Sequence, residues 1–338
     1  MCVRFFPLMS FIALSMVTMF SCTPETQSVY EAELTKVIGD KTRFILPDSD
    51  DFASIPQTSA NPLTADKVAL GKLLFHEPMF SNVAKTQESN YTYTCSTCHV
   101  ADAGFRPGRQ QGIADGAYGF GVKGESRAKV PTYKESDLDA QGARPLATLN
   151  TAYVTNSMWN GSFGSEGVNI GTEDVWGKYD PTTALNALKA GALESQNIAG
   201  LSTHRMFYSK ELITKAGYKA MFDAAFPNWS EEDKYSNKGA SFAISAYLRT
   251  LLTNEAPFQK WLKGNSEAMT EQEKQGASIF FGKAGCVTCH YEKNLGSMNF
   301  AALGVKDHYE MGGLNTSESD RRNLGRGGFT GKDEDMYK

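Results

Sequence analysis

The sequence predicts a mainly α-helical protein of two domains with long irregular loops, and three observations predict it. The pentapeptide Cys-x-x-Cys-His occurs twice, as Cys95-Ser-Thr-Cys98-His99 and Cys286-Val-Thr-Cys289-His290, each in its own domain-sized stretch. An amphipathic segment of helical period leads into each motif. Few segments alternate as strands do, and residues 102–175 are rich in glycine and poor in helical period.

The motif is chemically specific. Each Cys adds to a haem vinyl group, and the adjacent His becomes the proximal iron ligand. Cys95, Cys98, Cys286 and Cys289 are therefore read as haem attachment residues, with His99 and His290 as iron ligands. The competing reading is a four-thiolate zinc site or dithiol redox chemistry. Neither of these uses the two His residues, whereas two covalently bound haem c groups need both.

The elements follow in chain order. Residues 1–21 read as an export signal: Arg4 supplies the charge, and Phe5 to Phe20 is apolar but short for a membrane span. Ser21-Cys22 then resembles a bacterial lipobox, with Cys22 as the lipidated first residue; the alternative is an ordinary signal with an incidental Cys. The remaining cysteines outside the leader all sit in the two motifs, so none is left for a structural disulfide. Both readings place the protein in the periplasm, and the lipobox reading adds a lipid anchor at Cys22 as its only membrane contact. The net charge of −4 and the absence of a basic run exclude nucleic acid as an evident partner.

Residues 22–62, polar and punctuated by Pro47, Pro56 and Pro62, read as a tether. The first domain spans 63–256 and the second 257–338. A helix starts at Thr64, with Asp66 in its first turn, and runs through Leu70 and Leu74 to Phe75. A second spans 239–253, with Ile244, Leu248 and Leu252 on one buried face and Ser241, Ser245 and Arg249 on an opposite polar stripe. A third opens at Thr270, with Glu273 completing a capping box, and continues to Phe281. Gly71-Lys-Leu-Leu-Phe75 and Gly276-Ala-Ser-Ile-Phe280 form a weak internal repeat, as expected of two cytochrome c-like domains. Residues 102–175 read as loops wrapped over a large cofactor.

From about Leu63 onward the chain resembles the bacterial di-haem cytochrome c peroxidase family, which includes the MauG-type enzymes. The resemblance is carried by Leu70-Gly-Lys-Leu-Leu-Phe-His-Glu-Pro-Met-Phe-Ser81, by Thr148-Leu-Asn150 and Met158-Trp159-Asn160-Gly161, and most specifically by Pro257-Phe-Gln-Lys-Trp-Leu-Lys-Gly264 and Phe280-Phe-Gly-Lys-Ala-Gly-Cys286. Phe300-Ala-Ala-Leu-Gly304 and Gly325-Arg326 continue it.

The resemblance implies a peroxidase that reduces hydrogen peroxide to water at the first haem. A small cytochrome c or cupredoxin would deliver electrons through the second haem and Trp159; the plain reading of Trp159 is a core or interface aromatic. Two further activities remain open, a MauG-like oxidase acting on a protein or small organic substrate and a non-catalytic electron carrier. No His or Met occupies 100–157, so the loop His that closes the first haem in many relatives is missing. Where the family places a Gln and then a Glu beside peroxide, this chain has Gln196, then His204 and Arg205. His204 is read as the acid–base residue, with Gln196 and Arg205 as supports; a sixth iron ligand and a structural His are the alternatives for His204. His76 is read as packing near the haem edge.

The family's sixth ligand to the second haem would fall beyond Asp333-Glu-Asp-Met-Tyr-Lys338, so the second domain is expected to be truncated. The alternative is a short form using Met298, His308 or Met311. The family's calcium ion is doubtful here, because its Asn is replaced near Arg144-Pro145. Family members are often homodimers, and the sequence carries no sign of a dimer surface.

Overall fold

A computed structural model describes residues 28–337. The expected signal segment 1–21 and the expected lipidation site Cys22 lie outside the described residues. The fold is helix-rich. Its only sheet among these residues is a two-stranded antiparallel hairpin, β1 (Ala117–Tyr118) and β2 (Ala128–Lys129). Six helices organise the rest: α1 (Val29–Ile38), α2 (Ala65–His76), α3 (Ala192–Thr203), α4 (Asn237–Arg249), α5 (Pro257–Leu262) and α6 (Glu271–Phe281). No helix among the described residues is long and apolar enough to cross a membrane.

The largest core gathers around α2, α3 and α4, with Leu70, Leu74, Phe75, Leu193, Leu201, Ile244 and Leu248 buried together. Helix α2 begins where the sequence places it: the Thr64 hydroxyl accepts from Lys67 N. It crosses α4 so closely that a Cβ on Gly71 would lie 1.9 Å from the Ala243 carbonyl oxygen. Gly276, its counterpart in the repeat, faces open space. The repeat is therefore one of sequence and not of packing.

Helix α4 departs from expectation in two ways. It ends at Arg249, four residues early, because the segment after it pairs with Asn150 instead. Asn150 N donates to Leu251 O (2.8 Å), and Thr253 N donates to Asn150 Oδ1 (2.9 Å). Its polar stripe is not solvated either. The Ser241 hydroxyl donates to Glu194 O, Ser245 accepts from Asn197, and Arg249 pairs with Glu194, so α4 is buried on all sides. Hydrophobic period alone misses a polar face that is satisfied by a neighbouring helix.

The expected tether is folded. Leu34 and Ile38 of α1, with Phe44, enter a second core made with Trp261, Leu262, Met269 and Phe281. The Trp261 indole donates to the Glu31 carboxylate (2.8 Å), which also faces Lys274 (3.2 Å). Gln259 pairs with the backbone at Phe44 and Leu46, both at 2.8 Å. Ile55 and Leu63 join Ala246 and Leu252 in a cluster beside α4. A few apolar anchors spaced among polar residues were enough to dock this segment, and a compositional reading averages them away. Helix α6 keeps its predicted capping box between Thr270 and Glu273.

Candidate functional site

The first motif forms one helical turn, Cys95–Cys98, capped by a reciprocal pair of bonds between Thr94 and Thr97. The turn ends at His99, whose Nδ1 lies 3.2 Å from the Phe105 carbonyl oxygen. This bond leaves Nε2 as the nitrogen available to a metal. In the second motif His290 Nδ1 lies 2.7 Å from the Leu295 carbonyl oxygen. Phe105 and Leu295 both adopt a positive φ, +54° and +56°. The two motifs thus orient their imidazoles by the same local device.

Their surroundings differ. Cys95, Cys98 and His99 line a cavity of about 250 Å³, together with Phe75, Leu193, Ile244 and Leu248 from α2, α3 and α4. Burial pushes both thiols up to about 12 and pushes His99 down to about 4. Cys289 and His290 are exposed, with the Phe280 ring 5.8 Å from that of His290.

The same cavity brings together Gln196, His204 and Trp159. Gln196 lies on α3, and His204 is its C-terminal capping residue. His204 Nδ1 is 2.7 Å from Asp139 Oδ2. Burial lowers the proton affinity of His204, but the Asp139 charge and hydrogen bond outweigh it and raise the net value. Trp159 is 60 % exposed, and its indole N–H donates to the Arg144 carbonyl oxygen at 2.9 Å. Its loop is gripped from the C-terminal stretch. Arg326 donates to the carbonyl oxygens of Asn160 (3.0 Å), Gly161 (3.2 Å) and Val168 (2.8 Å), and a Cβ on Gly161 would meet the Phe300 ring at 2.7 Å.

Arg205 does not line the cavity. A positive φ of +54° breaks the helical course after His204, and the guanidinium pairs with Asp115 and the Asp137 carbonyl instead. The guanidinium expected to support the reaction is thus turned away from the cavity in this structure. His76 is exposed, its ring edge-on to Phe75 at 5.1 Å, and it does not line the cavity. His308 and Met311 lie on a segment held against the first motif's loops: Gln110 Nε2 donates to Met311 O (3.4 Å), and Gln111 Nε2 donates to Leu314 O (2.8 Å).

Sequence reasoning missed Asp139. It stands far from His204 in the chain, in a loop with no period, and no local signal marks it. It also missed Arg322, which reaches the cavity from the C-terminal stretch.

The donor set fits a covalently held haem. Two adjacent thiols and an imidazole whose Nδ1 is held by the Phe105 carbonyl converge on a largely apolar cavity. Two buried hydroxyls without partners, Thr148 Oγ1 and Ser157 Oγ, belong to residues that line it, so the cavity also offers polar groups to a ligand.

Comparison with known proteins supports the same assignment. The sequence model of the family described as di-haem cytochrome c peroxidase matches residues 65–267, a stretch that includes His99, Trp159, Gln196 and His204. The methylamine utilization protein MauG of Methylorubrum extorquens is 26% identical over 298 residues, covering 86% of this chain and 67% of that protein. The cytochrome c peroxidase Ccp of Escherichia coli is 27% identical over 263 residues, covering 78% of this chain and 45% of that protein. The cytochrome c551 peroxidase of Pseudomonas aeruginosa is 23% identical, covering 74% and 58%. The chain thus spans about half to two thirds of the length of these relatives. A crystal structure of a MauG-like protein associated with microbial copper homeostasis shares the fold, with a TM-score of 0.50 at 22% identity over 86% of this chain and 71% of that one.

Proposed function

The chain belongs to the di-haem cytochrome c peroxidase family, and from that premise we propose that it reduces hydrogen peroxide to water in the periplasm, with electrons from a small cytochrome c or cupredoxin. The observation that carries this reading is the convergence of Gln196 and His204 on the cavity that holds Cys95, Cys98 and His99. When bound, the two haems supply the iron site at which peroxide is cleaved and the route by which electrons reach it.

The chain's own residues do the rest. Cys95 and Cys98 anchor the group, and His99 offers Nε2 because Nδ1 is held by Phe105. His204 takes a proton from the near oxygen of peroxide and returns it to the far oxygen, which leaves as water. Two protons from solvent and two electrons from the donor complete the conversion to two waters. Gln196 hydrogen-bonds and orients the peroxide, and Leu193, Ile244 and Leu248 exclude bulk water. Trp159 relays electrons between the two haems. Its place in the first cavity, on a loop gripped by Arg326 and packed on Phe300, supports that role.

One observation favours a second reading, a MauG-like oxidase. Residues 100–157 contain no His or Met to close the first iron, so a larger substrate's electrons could be drawn through the same site. The test is steady-state turnover of peroxide by the full-length di-haem protein with a reduced small cytochrome. Turnover with one high-spin ferric haem is expected. No turnover by protein carrying both haems sinks the peroxidase reading, and two low-spin haems would point to a carrier.

A further inference from the structure

Consecutive residues at the end of α3 are held by two different aspartates. His204 Nδ1 meets Asp139 Oδ2 at 2.7 Å, and Arg205 pairs with Asp115. The two carboxylates are nearly inaccessible, at 2% and 0%. They are also fixed relative to each other. Asp139 N donates to Asp115 O (3.1 Å), Ala114 N donates to Asp139 O (2.9 Å), and Ile113 bridges Ala140. The second oxygen of Asp139 accepts from Gln141 Nε2 at 3.0 Å. A buried carboxylate held this firmly is an orienting group for the imidazole it meets.

We propose that Asp139 is a positioning residue for proton transfer at His204: its carboxylate holds the Nδ1–H tautomer and keeps Nε2 as the basic nitrogen turned to peroxide. The proposal rests on the reading of His204 as the acid–base residue. A free neutral imidazole can carry its proton on either nitrogen and can rotate. The Asp139 bond removes both freedoms before peroxide arrives. During the reaction the peroxide proton moves to Nε2, while the Nδ1 proton stays in its bond to the Asp139 carboxylate. The Nε2 proton then passes to the far oxygen as the O–O bond breaks and that oxygen leaves as water; two electrons from the donor and two protons from solvent convert the near oxygen to the second water.

The charge environment is consistent with this. The groups facing His204 are Asp139, Arg205 turned to Asp115, His99 in the same cavity, and Tyr93, whose hydroxyl donates to the Arg205 carbonyl oxygen at 3.3 Å. Arg144 and Arg322 also line the cavity. Asp139 is the only carboxylate among the cavity-lining residues described. A base must be unprotonated to act, so activity falls as pH drops through its proton affinity. Removing the Asp139 charge lowers that affinity and moves the acid limb to lower pH.

The experiment compares Asp139→Asn, His204→Ala and the double variant in the di-haem protein, with haem content checked by absorption. Two readouts are used: kcat/KM for peroxide against pH, and the association rate of cyanide with the ferric protein, which needs a base to take the proton of HCN but no turnover. Asp139→Asn is expected to lower both rates at least tenfold and to shift the acid limb of kcat/KM downward. The double variant should be no slower than His204→Ala, and Asp139→Glu should recover part of the loss. If Asp139→Asn does not retain both haems, Asp139→Ser replaces it. Asp139→Asn with wild-type rates and limb overturns the proposal while leaving His204 as the base. Additive losses in the double variant overturn it as well, because Asp139 would then act other than through His204. Wild-type rates in His204→Ala overturn the reading on which it rests.

Discussion

Arg249 of α4 and Glu194 of α3 form a buried bidentate ion pair, with nitrogen–oxygen distances of 2.5 and 2.9 Å. Asn61 donates to the same carboxylate at 2.8 Å. Glu194 lies two residues before Gln196 on the helix that His204 terminates. The pair therefore sets the register of α3 on α4, and with it the position of both side chains in the cavity. Arg249→Ala would leave Glu194 buried without its cation and should cost about 3–5 kcal/mol, while Arg249→Met with Glu194→Gln should cost less. Urea denaturation of the three proteins measures this.

The crossing of α2 and α4 at Gly71 yields a paired prediction. Gly71→Ala places a methyl group 1.9 Å from a backbone oxygen, so one helix must move, at a cost of about 1–3 kcal/mol or more. Gly276→Ala meets open space in a helix interior and should stabilise by about 0.4–1 kcal/mol. Equal effects in thermal melts would contradict the packing described.

Docking of α1 onto α5 and α6 makes residues 29–46 part of the second core. Leu34 is fully buried there, and Leu34→Ala should destabilise it by about 2–5 kcal/mol. Trp261 lies in this core, and its indole bonds Glu31. Its fluorescence should report the loss at lower denaturant than the rest of the protein.

The Arg205–Asp115 pair predicts a pH dependence. Burial would raise the Asp115 proton affinity, but bonds from Ser89, Tyr133, Lys85 N–H and Arg205 bring it below the ordinary 3.8. A carboxyl depressed on folding adds stability above its unfolded value, and that stability is lost as pH falls through the folded value. Arg205→Ala should therefore move acid unfolding to higher pH and cost about 3 kcal/mol at neutral pH. Circular dichroism against pH tests both.

Haem attachment is checked by mass. Replacing Cys95 and Cys98 with Ser should remove one covalent haem and leave the other, and the same change at Cys286 and Cys289 should do the converse. Retention of both haems in either variant would contradict the assignment.

Much of the site was legible in the chain before its fold. The twin motifs pointed to four attachment cysteines and two iron-ligand histidines, because covalent attachment of a haem demands two thiols and an imidazole at fixed local spacing. Helices α2 and α6 announced themselves through caps at Thr64 and Thr270, which are also local. Gln196 and His204 were found through family likeness, and the cavity brings both together with the first motif.

Other features depend on which distant segments meet. Where the Arg205 guanidinium points is decided by a left-handed φ and by Asp115, ninety residues earlier in the chain. The polar stripe on α4 reads as solvated until α3 supplies Glu194 and Asn197. The polar stretch before Leu63 reads as a tether until Trp261 and Gln259 receive it. Asp139 has no signature at all until it stands 2.7 Å from His204. The sequence by itself determined the twin Cys-x-x-Cys-His motifs, helices α2 and α6 and the family, because these rest on residues within a few positions of one another. The tertiary structure decided which charge faces which, because a buried polar group is defined by the partner that satisfies it, and those partners come from remote parts of the chain.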